Sequence, residues 1–375
     1  MKWILLLIVF LISNVAFGQS EHFSAEIDEL MQKYGAIGLS VAVVRDGKIV
    51  YSNSFGCKNR EEAVLLDPSD LFRIASITKT FVATAIMQLV EKKKLSLDDD
   101  INNYLSFKVQ NPQFQGTPIT VKMLLCHRSS INDSQGYKTF KVIDSSANPQ
   151  YVKCYNAYEP GSSYAYCNLN YNLLGAIIEN VTGERFDRYI YRKIVRPLGL
   201  HGRFNVMDLD STLFVSSYRY DKNQDSLVLD RNTYLPYRDE INHYQLGYSV
   251  PYLSAAAGMK ISVTELARYM IMHMNKGKYK WRRIISDKSE LEMRQVPVPK
   301  HWYALSLSHY YFILPDEELI GQTGGDHGIH TAMIFHPEKK YGFVVFCNGC
   351  KSGSADGHEL NFEIIKLLNK YFIKK

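Results

Sequence analysis

The chain has 375 residues, 46% of them hydrophobic and 22% charged, and it carries no low-complexity tract, so it is long and apolar enough to bury a large core and reads as globular throughout. Its 44 basic and 38 acidic residues leave a formal charge of +6, scattered except for Lys92-Lys93-Lys94 and the last two lysines. That balance is too mild for a nucleic-acid binder, and the triplet reads as a solvated helix end.

Lys2, an apolar run from Trp3 to Val15 and the small residues of Ala16-Phe17-Gly18 have the layout of a secretory signal cut near Gly18-Gln19. The expectation is a secreted or periplasmic protein in which residues 1–18 are the signal and 19–375 form one domain. No later segment reaches the roughly eighteen uninterrupted apolar residues of a membrane span. In that compartment disulfides among the six cysteines, at 57, 126, 154, 167, 347 and 350, are allowed but not required. Cys347-Asn-Gly-Cys350 follows a strand-like run and does not open a helix, so it reads as a local disulfide or two plain thiols.

Glu21 to Tyr34 is predicted helical, with Phe23, Ile27, Leu30 and Met31 at helical spacing. Ile37–Val44 and Ile49–Phe55 are β-rich runs joined by Arg45-Asp46-Gly47-Lys48, a hairpin signal. The pattern recurs at His330–Phe335 and Tyr341–Cys347, and an amphipathic helix over Glu359–Phe372 closes the chain. The fold class is therefore α+β, layered. One antiparallel sheet is assembled from both chain ends and flanked by the terminal helices, and a mainly helical lobe is inserted at about 80–320. In that lobe Ser76–Glu91 has apolar residues on most of its surface, as a helix buried between layers would. Val121–His127, Leu169–Val181 and Thr264–Lys276 are further helical stretches, and the aromatic-rich 203–250 reads as long loops with minor structure, forming a wall over a cleft.

Three constellations carry chemistry. Ser76-Ile-Thr-Lys79 opens the buried helix, and no other serine has a lysine three residues on. At that spacing the two side chains share a face, the helix amino end supplies positive potential, and a lysine shielded from water can take a serine proton. Tyr166-Cys167-Asn168 lies on a Pro160-Gly161 loop entering a helix and can present a phenol and an amide to a cleft. Gly321-Gln322-Thr323-Gly324-Gly325-Asp326-His327-Gly328 is a glycine-rich run before a β run, where backbone donors are open to close approach. A Gly-x-Ser-x-Gly elbow is missing from the sequence. His327 and His330 are three apart on a predicted strand, and no His-Glu-x-x-His accompanies them, so a zinc hydrolase is not indicated.

Taken in order, these elements resemble the serine beta-lactamase and penicillin-binding-protein family, closest to class C enzymes, D-aminopeptidases and family VIII esterases. The likeness runs from about Ile37 to Gly349. It includes Leu95-Ser-Leu-Asp98 and Thr120 to Ser130, similar to the family's LLxHxSG segment with Ser130 at the usual glycine. It also includes Pro197-Leu-Gly-Leu200 and Ala255-Ala-Ala-Gly258. The resemblance implies a Ser76 acyl-enzyme formed on an ester, amide or beta-lactam-like carbonyl. Lys79 and Tyr166 would share proton transfer, Asn168 would bond Lys79 or substrate, and the backbone N–H groups of Ser76 and Gly325 would form an oxyanion hole. It also implies a small-molecule or peptide substrate, no cofactor and no metal. Gln322-Thr323-Gly324 stands where the family usually has Lys-Thr-Gly or His-x-Gly, and would line the substrate site. A neutral amide there holds a carboxylate less firmly than a cation does, which favours neutral esters, amides or an unusual peptide. The alternative is a protein on the same fold that binds or is acylated by peptide or beta-lactam without turnover.

Overall fold

The computed structural model describes residues 22–299, 301–351 and 358–374; the expected signal segment lies outside them. Residues 22–34 are helical (α1). They are followed by β1 (Gly38–Arg45) and β2 (Lys48–Asn59), with Asp46 and Gly47 both at positive φ in the turn between, as an Asp-Gly hairpin demands. The short β3 (Val64–Leu65) pairs with β2. From the far end of the chain come β4 (Ser308–Tyr310), β5 (Leu319–Asp326), β6 (Ile329–His336) and β7 (Tyr341–Cys347). They complete a seven-stranded sheet of order β4-β5-β6-β7-β1-β2-β3, with β7 beside β1 and every pair antiparallel.

Both faces of the sheet are buried, which is why its central strands are nearly all apolar. Side chains alternate across a strand. Val41, Val43, Ile334, Phe343 and Val345 face α1 and the closing helix α5 (Glu359–Phe372), where Phe23, Ile27, Ile364 and Leu368 meet them. Ala42, Val44, Met333, Phe335, Val344 and Phe346 face the inserted lobe. That lobe is built on α2 (Thr78–Glu91), α3 (Asn168–Thr182) and α4 (Val263–Met274). Phe81 of α2 stacks on Tyr269 of α4 with ring centroids 3.8 Å apart. Every residue of α2 from Thr78 to Leu89 is buried, so this helix is the axle between the layers.

Two local differences from the sequence-based expectations bear on the site. The α-helix begins at Thr78, not Ser76, because Ala75–Ile77 forms a tight 3-10 turn. The helix expected to run to His127 covers only Val121–Leu125, since His127 takes a φ of 56°. The 203–250 segment is loops with minor structure, as expected, the largest piece being a hairpin of Ser217–Asp221 paired with Ser226–Asp230. All six cysteines are free thiols.

Candidate active site

The turn bearing Ser76 is held from several sides. Phe72-Arg73 pairs with Lys260-Ile261, Ile74 N–H donates to Met259 O at 3.0 Å, and Thr331 Oγ1 of β6 donates to Ile74 O at 3.0 Å. Ala75 is forced to a φ of 46°, a left-handed conformation that an L-residue adopts at a cost on the order of 1 kcal/mol. Its small side chain limits that cost, and the surrounding bonds hold the turn in place. The result sets Ser76 at the mouth of α2, with the Lys79 side chain one turn along on the same face.

Lys79 is fully buried and its Nζ has three neighbours: Ser76 Oγ at 3.1 Å, Asn168 Oδ1 at 2.9 Å and Ala256 O at 2.9 Å. The last two only accept. Asn168 is fixed in that orientation because its Nδ2 donates to Asp133 Oδ2 at 2.9 Å. A neutral lysine has two N–H bonds and one lone pair. With both hydrogens spent on Asn168 and Ala256, the lone pair faces the Ser76 hydroxyl. Burial pushes the Lys79 pKa down to about 7, against the upward pull of Asp133 and of Cys167 and Asp326, so the neutral form is well populated near neutrality. On the other side of Ser76, Tyr166 OH donates to Ser76 Oγ at 2.8 Å. The ring remains 41% exposed at the mouth, while loss of water around the phenol raises its pKa and keeps the proton on. The chain Tyr166 O–H to Ser76 O–H to Lys79 N can thus run in one direction.

Asp133 was not singled out from the sequence, and His127 entered only as the histidine of the segment similar to LLxHxSG, without a role. Asp133 caps α3 from 35 residues away, accepting from Asn168 N at 2.7 Å and Leu169 N at 3.0 Å, in addition to the Asn168 amide and Cys167 Sγ. His127 lies under Tyr166, ring centroids 4.3 Å apart, and its Nδ1 accepts from Cys167 N at 3.1 Å. Burial, then the charge of Lys79, holds its pKa well down, so it is a neutral platform for the Tyr166-Cys167-Asn168 segment that leads into α3. Ser130 sits at a φ of 61°, where glycine is the natural choice. Its buried Oγ accepts from Asn111 Nδ2 at 3.0 Å, a bond glycine could not make.

The third constellation forms the opposite wall. Strand β5 passes so close to the serine turn that a Cβ on Gly324 would lie 2.4 Å from Ile74 O and 2.9 Å from Ser76 N; only glycine fits. The β5–β6 hairpin closes through His327-Gly328, at φ 55° and 84°, with Asp326 opposite Ile329 and Gly325 opposite His330. In such a two-residue hairpin the closing pair exchanges backbone hydrogen bonds and the next pair does not. Gly325 therefore turns its N–H away from β6, toward the edge that β4 leaves free beyond Gly321, beside Ser76 N. Thr323 shares that outward register. Gln322 does not join the cleft: it is 4% exposed, its Oε1 accepts from Ser308 Oγ at 3.3 Å and its Nε2 donates to Tyr303 OH at 3.4 Å. Ser76, Lys79, Tyr166, Asn168, Gly324 and Gly325 converge, whereas Gln322 is committed to the wall behind them.

With this geometry in view, the comparisons with known proteins place the chain. A model of the family described as Beta-lactamase matches residues 23–364, and the chain belongs to that family. Curated relatives include Protein flp of Staphylococcus aureus (strain MRSA252), 25% identical over 329 residues, 86% of this chain and 61% of the relative. The putative penicillin-binding protein PbpX of Bacillus subtilis (strain 168) is 34% identical over 179 residues, 47% of this chain and 43% of that protein. The chain thus spans about three fifths of the length of the first relatives it matches. Among solved structures, an octameric penicillin-binding protein homologue from Pyrococcus abyssi superposes with a TM-score of 0.74 at 28% identity, covering 94% of this chain and 77% of the other. A D-amino acid amidase from Ochrobactrum anthropi SV3 shares the fold at a TM-score of 0.73 and 19% identity, covering 94% and 99%. No helix among the described residues is long and apolar enough to cross a membrane, and no cluster of three or more His, Cys, Asp or Glu there could hold a metal.

Proposed function

We propose that the protein is a serine hydrolase that works through a Ser76 acyl-enzyme on esters, amides or short peptides, and that it does so outside the cytoplasm. The observation that carries this reading is the three-way coordination of Lys79, which leaves a lone pair with one target, the Ser76 hydroxyl. Lys79 takes the Ser76 proton as Oγ bonds to the substrate carbonyl carbon. The carbonyl electrons move onto oxygen, which the N–H groups of Ser76 and Gly325 receive; preorganised donors of this kind commonly contribute most to such catalysis. As the oxyanion collapses, the bond to the leaving group breaks and Tyr166 passes it a proton; the proton that Lys79 took from Ser76 then replaces the one Tyr166 gave, so that both groups are neutral again for deacylation. Water then attacks the ester on Ser76, giving its proton to the Tyr166–Lys79 pair and releasing the acid and the free serine.

The amidase and the hydrolase EstCE1, which share this fold at 19% and 20% identity, agree with such chemistry. The engagement of Gln322 in the wall leaves no cation at that place and favours neutral leaving groups over beta-lactams. It is also the one feature that favours the second reading, a protein acylated without turnover. Steady-state hydrolysis of p-nitrophenyl butyrate and of a chromogenic cephalosporin separates these readings. The proposal expects ester turnover that Ser76→Ala abolishes, with little cephalosporin cleavage. Full turnover by Ser76→Ala would overturn it.

A further inference from the structure

A cavity of about 610 Å³ is lined from the segment that leads into the serine turn and from the end of the β5–β6 hairpin. Two of its lining residues flank the site in sequence: Arg73, three residues before Ser76, and Asp326, next to Gly325. Its roof is the 204–254 segment. The charges in it are nearly all accounted for. Asp326 pairs with Arg73 at 2.9 Å, and Asp230 with Arg219 at 2.7 Å and His327 at 3.0 Å. Two lysines are the exceptions, Lys138, which is exposed, and Lys260, which is buried. Lys260 is 5% exposed, it lines the cavity, and its Nζ donates to Phe204 O at 2.5 Å, yet no carboxylate among the described residues forms an ion pair with it. A buried ammonium without a counter-charge is costly, and burial, then nearby Arg73, holds its pKa well down. A second lining group is also unspent: Ser254 Oγ is shielded from solvent with no hydrogen-bond partner, on a residue held at a φ of 55°.

We propose that this cavity receives the acyl arm of the substrate and takes a carboxylate-bearing, monoanionic chain, with Lys260 as its counter-charge and Ser254 as a second donor. The inference rests on the acyl-enzyme reading of Ser76. The arm is assigned by the position of Tyr166. The leaving group must sit by the phenol that protonates it, on the side where Tyr164, Trp302 and Tyr303 gather, which leaves the Asp326 side for the retained half. A monoanion fits because Lys260 is the one buried amine in the cavity left without a carboxylate, and an anion bound beside it favours its charged form. The anion site therefore lies across the nucleophile from Gln322, not at it.

Two measurements test this and keep its failure apart from that of the hydrolase reading. Calorimetry with monomethyl glutarate is expected to show saturable binding to the wild type and to Ser76→Ala. Lys260→Met should weaken that binding at least tenfold, and Ser254→Gly, which suits the left-handed backbone, by a smaller factor. In kinetics, mono-p-nitrophenyl glutarate should exceed p-nitrophenyl pentanoate in kcat/KM at least tenfold, a ratio that falls to near one in Lys260→Met. No saturable binding to the wild type, or equal binding by Lys260→Met, overturns the subsite. So does Ser76-dependent turnover of pentanoate without preference for the glutarate hemiester. Lys260-dependent binding without turnover of either ester would sink the hydrolase reading and leave the subsite standing.

Discussion

Lys79 must be neutral to accept the Ser76 proton, and its pKa near 7 sets the acid side of the pH profile. Below about 7 the ammonium form grows, so kcat/KM for a neutral ester should fall tenfold per pH unit, and above it the curve should flatten. A profile flat from pH 5 to 8 would contradict the role given to Lys79. Asp133 raises the Lys79 pKa, so Asp133→Asn, which can still accept from the α3 backbone, should move the acid limb to lower pH. An unmoved limb would limit Asp133 to capping. The serine and lysine were legible in the sequence because i and i+3 on a helix can touch whatever the rest of the fold does. Tyr166 and Asn168 were legible because they stand two apart on the loop entering a helix. Asp133, Ala256 O and Lys260 were not: each meets the site only through tertiary placement, and Asp133 is an ordinary loop aspartate until the fold sets it against the amino end of α3. Gln322 was read as a neutral replacement lining the substrate site, and its burial could not be foreseen, because Ser308 and Tyr303 reach it from another strand and loop.

Among the elements, β5 is the one on which the site's precision depends. Gly324 lets it lie against the serine turn, and the register through His327-Gly328 aims Gly325 N–H outward. Gly324→Ala would drive a methyl into Ile74 O and Ser76 N, displacing strand or turn. Loss of one oxyanion donor costs about 10²–10³ in kcat, and a drop of that order in ester hydrolysis is expected, with the acid limb of the pH profile unchanged because Lys79 is untouched. Near-wild-type kcat would argue against Gly325 as a donor. Strand periods and the Asp46-Gly47 turn made the sheet readable in advance. The shift of the α2 start to Thr78 was not, since the 3-10 turn at Ala75–Ile77 is imposed by bonds from Met259 and Thr331, far along the chain.

At the scale of the molecule, the two chain ends close the outer layer. Phe23 of α1 meets Tyr51 of β2 and Phe372 of α5 at ring distances of 5.4 and 5.3 Å, and Lys370 bonds Glu26 at 2.7 Å. This layer lies across the sheet from Ser76. Phe23→Ala should therefore lower unfolding free energy by about 3 kcal/mol, read by denaturant melts, while kcat/KM per folded molecule stays as it was; a change in kcat/KM would mean that the outer layer sets the site geometry. The central claim is that Ser76 becomes acylated and is then freed. Intact-protein mass spectrometry during reaction with p-nitrophenyl butyrate tests it most directly. The account predicts a transient butyryl adduct mapped to the Ser76 peptide, slower to decay in Tyr166→Phe and missing in Ser76→Ala. An adduct on another residue, or turnover by the wild type with no adduct even under rapid quench, would contradict it.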